Sequence, residues 1–117
     1  MSKVEKLIQL VKESKKIVVY SVEHERDEYG ELAGYTTDWC RQYLINYERT
    51  ECTCLECYNE ADYGEDSLWT ESQKTTMTID DTIDDIIGGW INGYGFDART
   101  TNIIFTKLDG TVETVDN

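Results

Sequence analysis

The chain has 117 residues, 39% of them hydrophobic and 30% charged, which suits one domain able to bury roughly two-thirds of its unfolded surface. Its 24 acidic and 11 basic side chains give a formal net charge of -13, which argues against direct binding to a nucleic-acid backbone or to anionic lipid. Eight Tyr, three Trp and two Phe provide enough core material to argue against disorder. The longest apolar runs, such as Ile17–Tyr20, are four residues, whereas a membrane span needs roughly 20. Met1–Glu5 has no apolar leader, so a cytoplasmic location with reduced cysteines is expected.

Ser2 precedes Glu5 at capping-box spacing, and Val4, Leu7, Ile8 and Val11 recur at helical intervals. This predicts an amphipathic helix from about Lys3 to Ser14, with Lys12, Lys15 and Lys16 at its C-terminal end, where the dipole favours cations. Residues 1–16 hold five bases and two acids, leaving 22 acids and six bases for the rest of the chain. Ile17–Val22 is β-branched and reads as a buried strand. The charged stretch His24–Gly34, with two glycines, reads as a turn or long hairpin connection. Residues 35–47 show both periodicities: Tyr35, Thr37, Trp39, Arg41, Tyr43, Ile45 and Tyr47 alternate as in a strand, while Trp39/Cys40 and Tyr43/Leu44 pair as in a helix. Their Tyr, Thr and Ile content tilts the reading to strand.

Residues 51–73 read as a polar loop with seven acids and no base, carrying most of the cysteines. Lys74–Ile79 returns to β character. A second helix begins at Asp80 and Asp81, carries Ile83, Ile86, Ile87, Trp90 and Ile91 on its apolar face, and stops at Asn92-Gly93. Asn102–Leu108 and Thr111–Val115 flank Asp109-Gly110, a favoured two-residue hairpin turn. The expectation for residues 1–117 is a single acidic α+β domain. It would consist of a mostly antiparallel sheet, two amphipathic helices and a cysteine-rich zinc loop.

Cys52, Cys54 and Cys57 fall within six residues, and Cys40 lies twelve residues upstream of Cys52. In a reduced protein, such a cluster suggests four thiolates holding structural Zn²⁺. His24, the only histidine, is an alternative to Cys40 as the fourth ligand. Disulfides, structural thiols and an iron–sulfur cluster are the other readings. Catalysis is not expected, because the chain has no G-x-S-x-G, Walker or H-E-x-x-H motif and one histidine with no partner motif. The glycine-rich stretch Gly88–Phe96 follows a helix rather than opening one, and reads as a helix C-terminus.

The acids divide into two groups. Asp80, Asp81, Asp84 and Asp85 are expected on the outer side of the second helix, opposite its isoleucines. Glu56, Glu60, Asp62, Glu65, Asp66 and Glu71 lie in and beyond the cysteine segment. Carboxylates ordered in this way can be steered into a basic groove much as phosphates are.

Small size, strong acidity, absence of catalytic motifs and a compact α+β pattern resemble the small phage-encoded anti-CRISPR proteins. With the cysteine cluster added, the chain resembles zinc-containing inhibitors of type II-A Cas9. The resemblance is one of overall character along the chain, without a shared motif. It implies a Cas9 partner in the bacterial host cytoplasm, inhibited by occupation of its basic channels and not by chemistry. The alternative is an acidic decoy for another nucleic-acid-binding protein, such as a restriction nuclease or a transcription factor.

Overall fold

The computed structural model describes residues 2–57, 74–93 and 98–117, with the backbone alone described at 35–39 and 56–57. The elements run α1 (Lys3–Glu13), β1 (Ser14–Arg26), β2 (Leu32–Ile45), β3 (Glu51–Cys57), β4 (Thr75–Thr78), α2 (Ile79–Asn92), β5 (Ala98–Lys107) and β6 (Val112–Asp116). The fold is α+β, as the sequence leads one to expect. No described helix is long and apolar enough to cross a membrane.

The first helix forms where its cap places it. Ser2 Oγ accepts the Glu5 N–H at 3.1 Å, and Leu7, Leu10 and Val11 point into the core. The helix passes into β1 without a loop: Ser14 is both its C-cap and the first residue of the strand. Ser14 donates to two of the last helical carbonyls, Oγ to Leu10 at 2.6 Å and N–H to Val11, and Leu108 N–H donates to Glu13 at 3.0 Å. Arg49 supplies further donors, with its guanidinium bonding the carbonyls of Ser14 (2.7 Å), Val11 (3.2 Å) and Lys12. Arg49 is the one non-glycine residue at positive φ (60°) among the described residues. Asn46 holds the turn that presents it, accepting the backbone N–H groups of Thr50 and Glu51.

All six strands join one sheet in the order β4-β3-β2-β1-β5-β6, with every neighbouring pair antiparallel. Strand alternation sorts the side chains into two faces. Ile17, Val19, Tyr43, Ile45, Cys52, Cys54, Ile103, Phe105 and Val115 form the core with Leu7, Leu10 and Val11 of α1 and Ile83, Ile86 and Trp90 of α2. Val18 and Cys40, with Tyr20 packed on them, make a separate small cluster on the other face. Lys3 Nζ lies 5.0 Å over the Trp90 ring, bridging the two helices.

The segment 35–45 is strand, so the alternation is the correct one of its two periodicities. β1 is twice as long as the apolar run implies: beyond Glu23, which pairs with Ala98, and before Cys40, which pairs with Cys57, β1 and β2 pair only with each other among the described residues. This leaves an arm closed by a turn in which Asp27 Oδ1 accepts from Tyr29 N (2.8 Å) and Glu31 N (3.0 Å). The cysteine segment 51–57, expected in a loop, is strand β3.

Helix α2 ends at Gly93, which has φ 71°, and a Cβ there would lie 2.5 Å from the Ala98 carbonyl oxygen. Glycine is needed for both reasons. Ile91, expected on the apolar face, is instead 60% exposed, and Ile87 is half-buried beside the core. Ile86 is fully enclosed (1% exposed). Ile86→Ala should therefore cost about 2–5 kcal/mol in urea-denaturation stability, with Ile87→Ala costing distinctly less. Equal losses would contradict this placement of α2.

Candidate functional site

Helix α2 carries the chemistry that distinguishes this chain. Thr78 caps it, its Oγ1 accepting the Asp81 N–H at 3.1 Å, and Asp80 and Asp81 occupy the first turn, where the dipole favours anions. Thr82 back-bonds the Thr78 carbonyl at 2.8 Å. The helix buries Thr82, Ile83, Ile86, Gly89 and Trp90 and exposes Asp80, Asp81 and Asp84.

Asp85 departs from the sequence expectation. It is half-buried and turned toward the sheet, where its Oδ2 accepts both the Tyr43 hydroxyl and Arg41 Nη1 (3.1 Å). Tyr43 and Arg41 alternate with Gln42 on β2 and so share the helix-facing side. Tyr43 is wholly enclosed. Burial pushes its phenol far above the ordinary value near 10; Arg41 opposes that rise, and Cys54 and Asp85 add to it. The hydroxyl therefore stays protonated and serves as a donor to Asp85, not as a base. Helical periodicity places Asp85 at the margin of the buried arc, 40° from Gly89 and 100° from Ile86 on the 3.6-residue repeat. The sequence offers no sign that a partner waits there 42 residues away.

The cysteines are divided by the same alternation. Cys52 and Cys54 stand opposite Ile45 and Tyr43 and belong to the helix-side core. Cys40 belongs to the cluster on the other face, and Cys57 occupies the register position opposite it. The strand pairing thus brings Cys52 and Cys54 together and separates them from Cys40. Burial raises the Cys52 thiol pKa, partly offset by hydrogen bonds from Thr82 and the Leu44 backbone, so its thiolate is disfavoured. His24 lies exposed on the arm, four residues beyond the register partner of Cys40, or about 13 Å along the strand. Among the described residues, no group of three or more His, Cys, Asp or Glu side chains is arranged to hold a metal ion. Glu60, Asp62, Glu65, Asp66 and Glu71 fall outside the described residues, as does the side chain of Glu56.

Two grooves flank the helices. One, of about 500 Å³, is lined by Thr50, Glu51, Thr76, Met77, Thr78 and Asp81 beside the acidic start of α2. The other, of about 510 Å³, lies at the end of α1 among Lys12, Glu13, Arg49, Lys107, Leu108 and Asp109. A second acidic surface, not singled out by the sequence reading, is the arm: Glu23, Glu25, Asp27, Glu28 and Glu31 accompany one base, Arg26, with Tyr29 82% exposed at the turn. Its signal lies in the charged stretch His24–Gly34, which reads as a turn or long hairpin and not as an acidic surface.

Comparison with known protein families, curated proteins and solved structures finds no match.

The different surroundings of two adjacent acids give a direct check. Asp84→Lys should leave urea-denaturation stability within about 0.5 kcal/mol. Asp85→Lys, which leaves the Tyr43 hydroxyl without its acceptor and sets a cation against Arg41, should cost about 1–3 kcal/mol. Equal effects would place Asp85 in solvent.

Proposed function

We propose that this chain is a non-catalytic binding protein that docks an acidic surface on a basic, nucleic-acid-handling partner. The observation that carries the reading is the outer face of α2. Over 14 residues the helix has four aspartates and no base, and three of the aspartates are solvent-facing. Ile91 falls seven residues after Asp84 on the same side and is 60% exposed, so the face joins an apolar contact to an acidic surround. The acidic arm extends the same sign of charge to a second element, and the chain as a whole carries -13. Such a field accelerates encounter with a basic groove and disfavours nucleic acid itself.

The resemblance to anti-CRISPR proteins makes a type II-A Cas9 in the bacterial host cytoplasm the first partner to test, with DNA loading or cleavage as the step blocked. The second reading, an acidic decoy for a restriction nuclease or a transcription factor, uses the same surface. Cleavage by purified Cas9 with increasing amounts of this protein distinguishes them. Inhibition at near-stoichiometric ratio supports Cas9 as the target; full cleavage at large excess, with the protein folded, removes it. In either case Asp80→Asn, Asp81→Asn and Asp84→Asn together should preserve the fold and slow association with the true partner by about tenfold or more at low salt. Added salt should slow association of the unaltered protein more than it speeds dissociation.

Zinc enters this proposal as a separate structural element, because docking needs no metal. Ligation by Cys40, Cys52, Cys54 and Cys57 at one ion would require β3 to give up its strand pairing, since Cys52 and Cys54 stand on one face of the sheet and Cys40, with the register position of Cys57, on the other. Elemental analysis of protein purified without added metal measures it. One zinc per chain, lost in the Cys54→Ser/Cys57→Ser double variant, supports the ligand set; zinc-free, fully folded protein removes it.

A further inference from the structure

One row of register partners runs across the sheet and ends on a pair of cysteines. Asn102, Tyr20, Cys40 and Cys57 stand opposite one another on β5, β1, β2 and β3. Directly opposed residues in an antiparallel pair have Cα atoms about 4.5 Å apart at non-hydrogen-bonded positions and about 5.5 Å apart at hydrogen-bonded ones. A disulfide spans Cα separations of about 4.4–6.8 Å, so a cysteine pair at either kind of position is within its reach. No other two cysteines are register partners: Cys52 faces Ile45 and Cys54 faces Tyr43. Along β3 itself, Cys54 and Cys57 are three residues apart, about 10 Å of strand.

We propose that Cys40 and Cys57 form a reversible cross-strand disulfide, a redox lock that fastens the end of β3 to the centre of the sheet. Cys57 is the last residue of β3 among the described residues. Cys40 is fully buried. In the proposed exchange Cys57 reacts first, with a small-molecule disulfide such as oxidised glutathione. Its thiolate attacks one sulfur of that oxidant, forming a mixed disulfide and releasing one glutathione thiolate. The Cys40 thiolate then attacks the Cys57 sulfur and the second glutathione leaves. Two protein thiols become one disulfide, the oxidant is reduced to two thiols, and the two cysteine protons end on them.

The link closes residues 40–57 into a loop that contains Arg41 and Tyr43, the two groups that grip Asp85 of α2. Oxidation would thus stiffen the platform on which the acidic helix stands. The proposal does not depend on the docking reading, and its failure would leave that reading as it is.

The test uses the full chain in mixtures of reduced and oxidised glutathione, quenched with N-ethylmaleimide and analysed by intact mass and peptide mapping. As the oxidant fraction rises, the four alkylated cysteines should fall to two in one step. The linked peptides should carry Cys40 and Cys57, and the oxidised protein should unfold at higher temperature than the reduced one. Cys57→Ser, shown to be folded by circular dichroism, should have no internal link. A link within Cys52, Cys54 and Cys57 would overturn the proposal. So would a link that persists in Cys57→Ser, four reactive thiols at every ratio, or oxidation that begins only after a chelator strips bound zinc.

Discussion

The hydroxyl of Tyr43 is the constraint from which the rest of the helix layer follows. It sits in the middle of a six-stranded sheet on a fully enclosed side chain. A buried donor left without an acceptor costs about 1–3 kcal/mol. Asp85 supplies the acceptor, and Arg41 on the same strand supplies the cation that makes a half-buried carboxylate tolerable there. Once Asp85 is turned inward, the helical repeat sets the other positions. Ile83, Ile86 and Trp90 pack on the sheet, while Asp80, Asp84 and Ile91 point away from it. The orientation of the acidic face follows from a polar contact made at the margin of the buried arc of the same helix.

A comparable economy fixes the first helix. The helix becomes a strand at Ser14, and its terminal carbonyls are met by Ser14 itself, by Leu108 N–H and by Arg49 reaching in from the β2–β3 turn. The positive φ of that residue is the conformational cost of reaching them. Both helices are therefore tied to β2 or the turn that follows it, and β2 lies between β1 and β3 near the middle of the sheet.

These ties explain what was legible in the sequence. Local signals read correctly: the Ser2 cap, the aspartates that open α2 and the Asn92-Gly93 stop each depend on neighbours within four residues. The Asp109-Gly110 turn falls where expected, but Lys107 pairs with Thr111 across three residues rather than two. The alternation over 35–45 also read correctly, because β-branched and aromatic residues reinforced it. Three cysteines in six residues hid the strand at 51–57. A metal loop and a buried strand both favour closely spaced cysteines, and the spacing C-x-C-x2-C does not say which face each one takes. Asp85 was misread for a different reason. Four aspartates with no base look like one solvated face, and only the buried phenol and guanidinium 42 and 44 residues away single one of them out. The stretch 24–34 reads as a turn or long hairpin, and how far that hairpin runs beyond the sheet depends on where β3 and β5 stop pairing among the described residues.

The account rests on the Tyr43–Asp85 contact being what sets the rotation of α2, and a double-mutant cycle measures that contact directly. Urea unfolding of the parent, Tyr43→Phe, Asp85→Asn and the double variant should give a coupling energy of about 1–3 kcal/mol. Additivity within about 0.5 kcal/mol would show that the two groups do not sense each other. The orientation of the acidic face would then lose its physical basis.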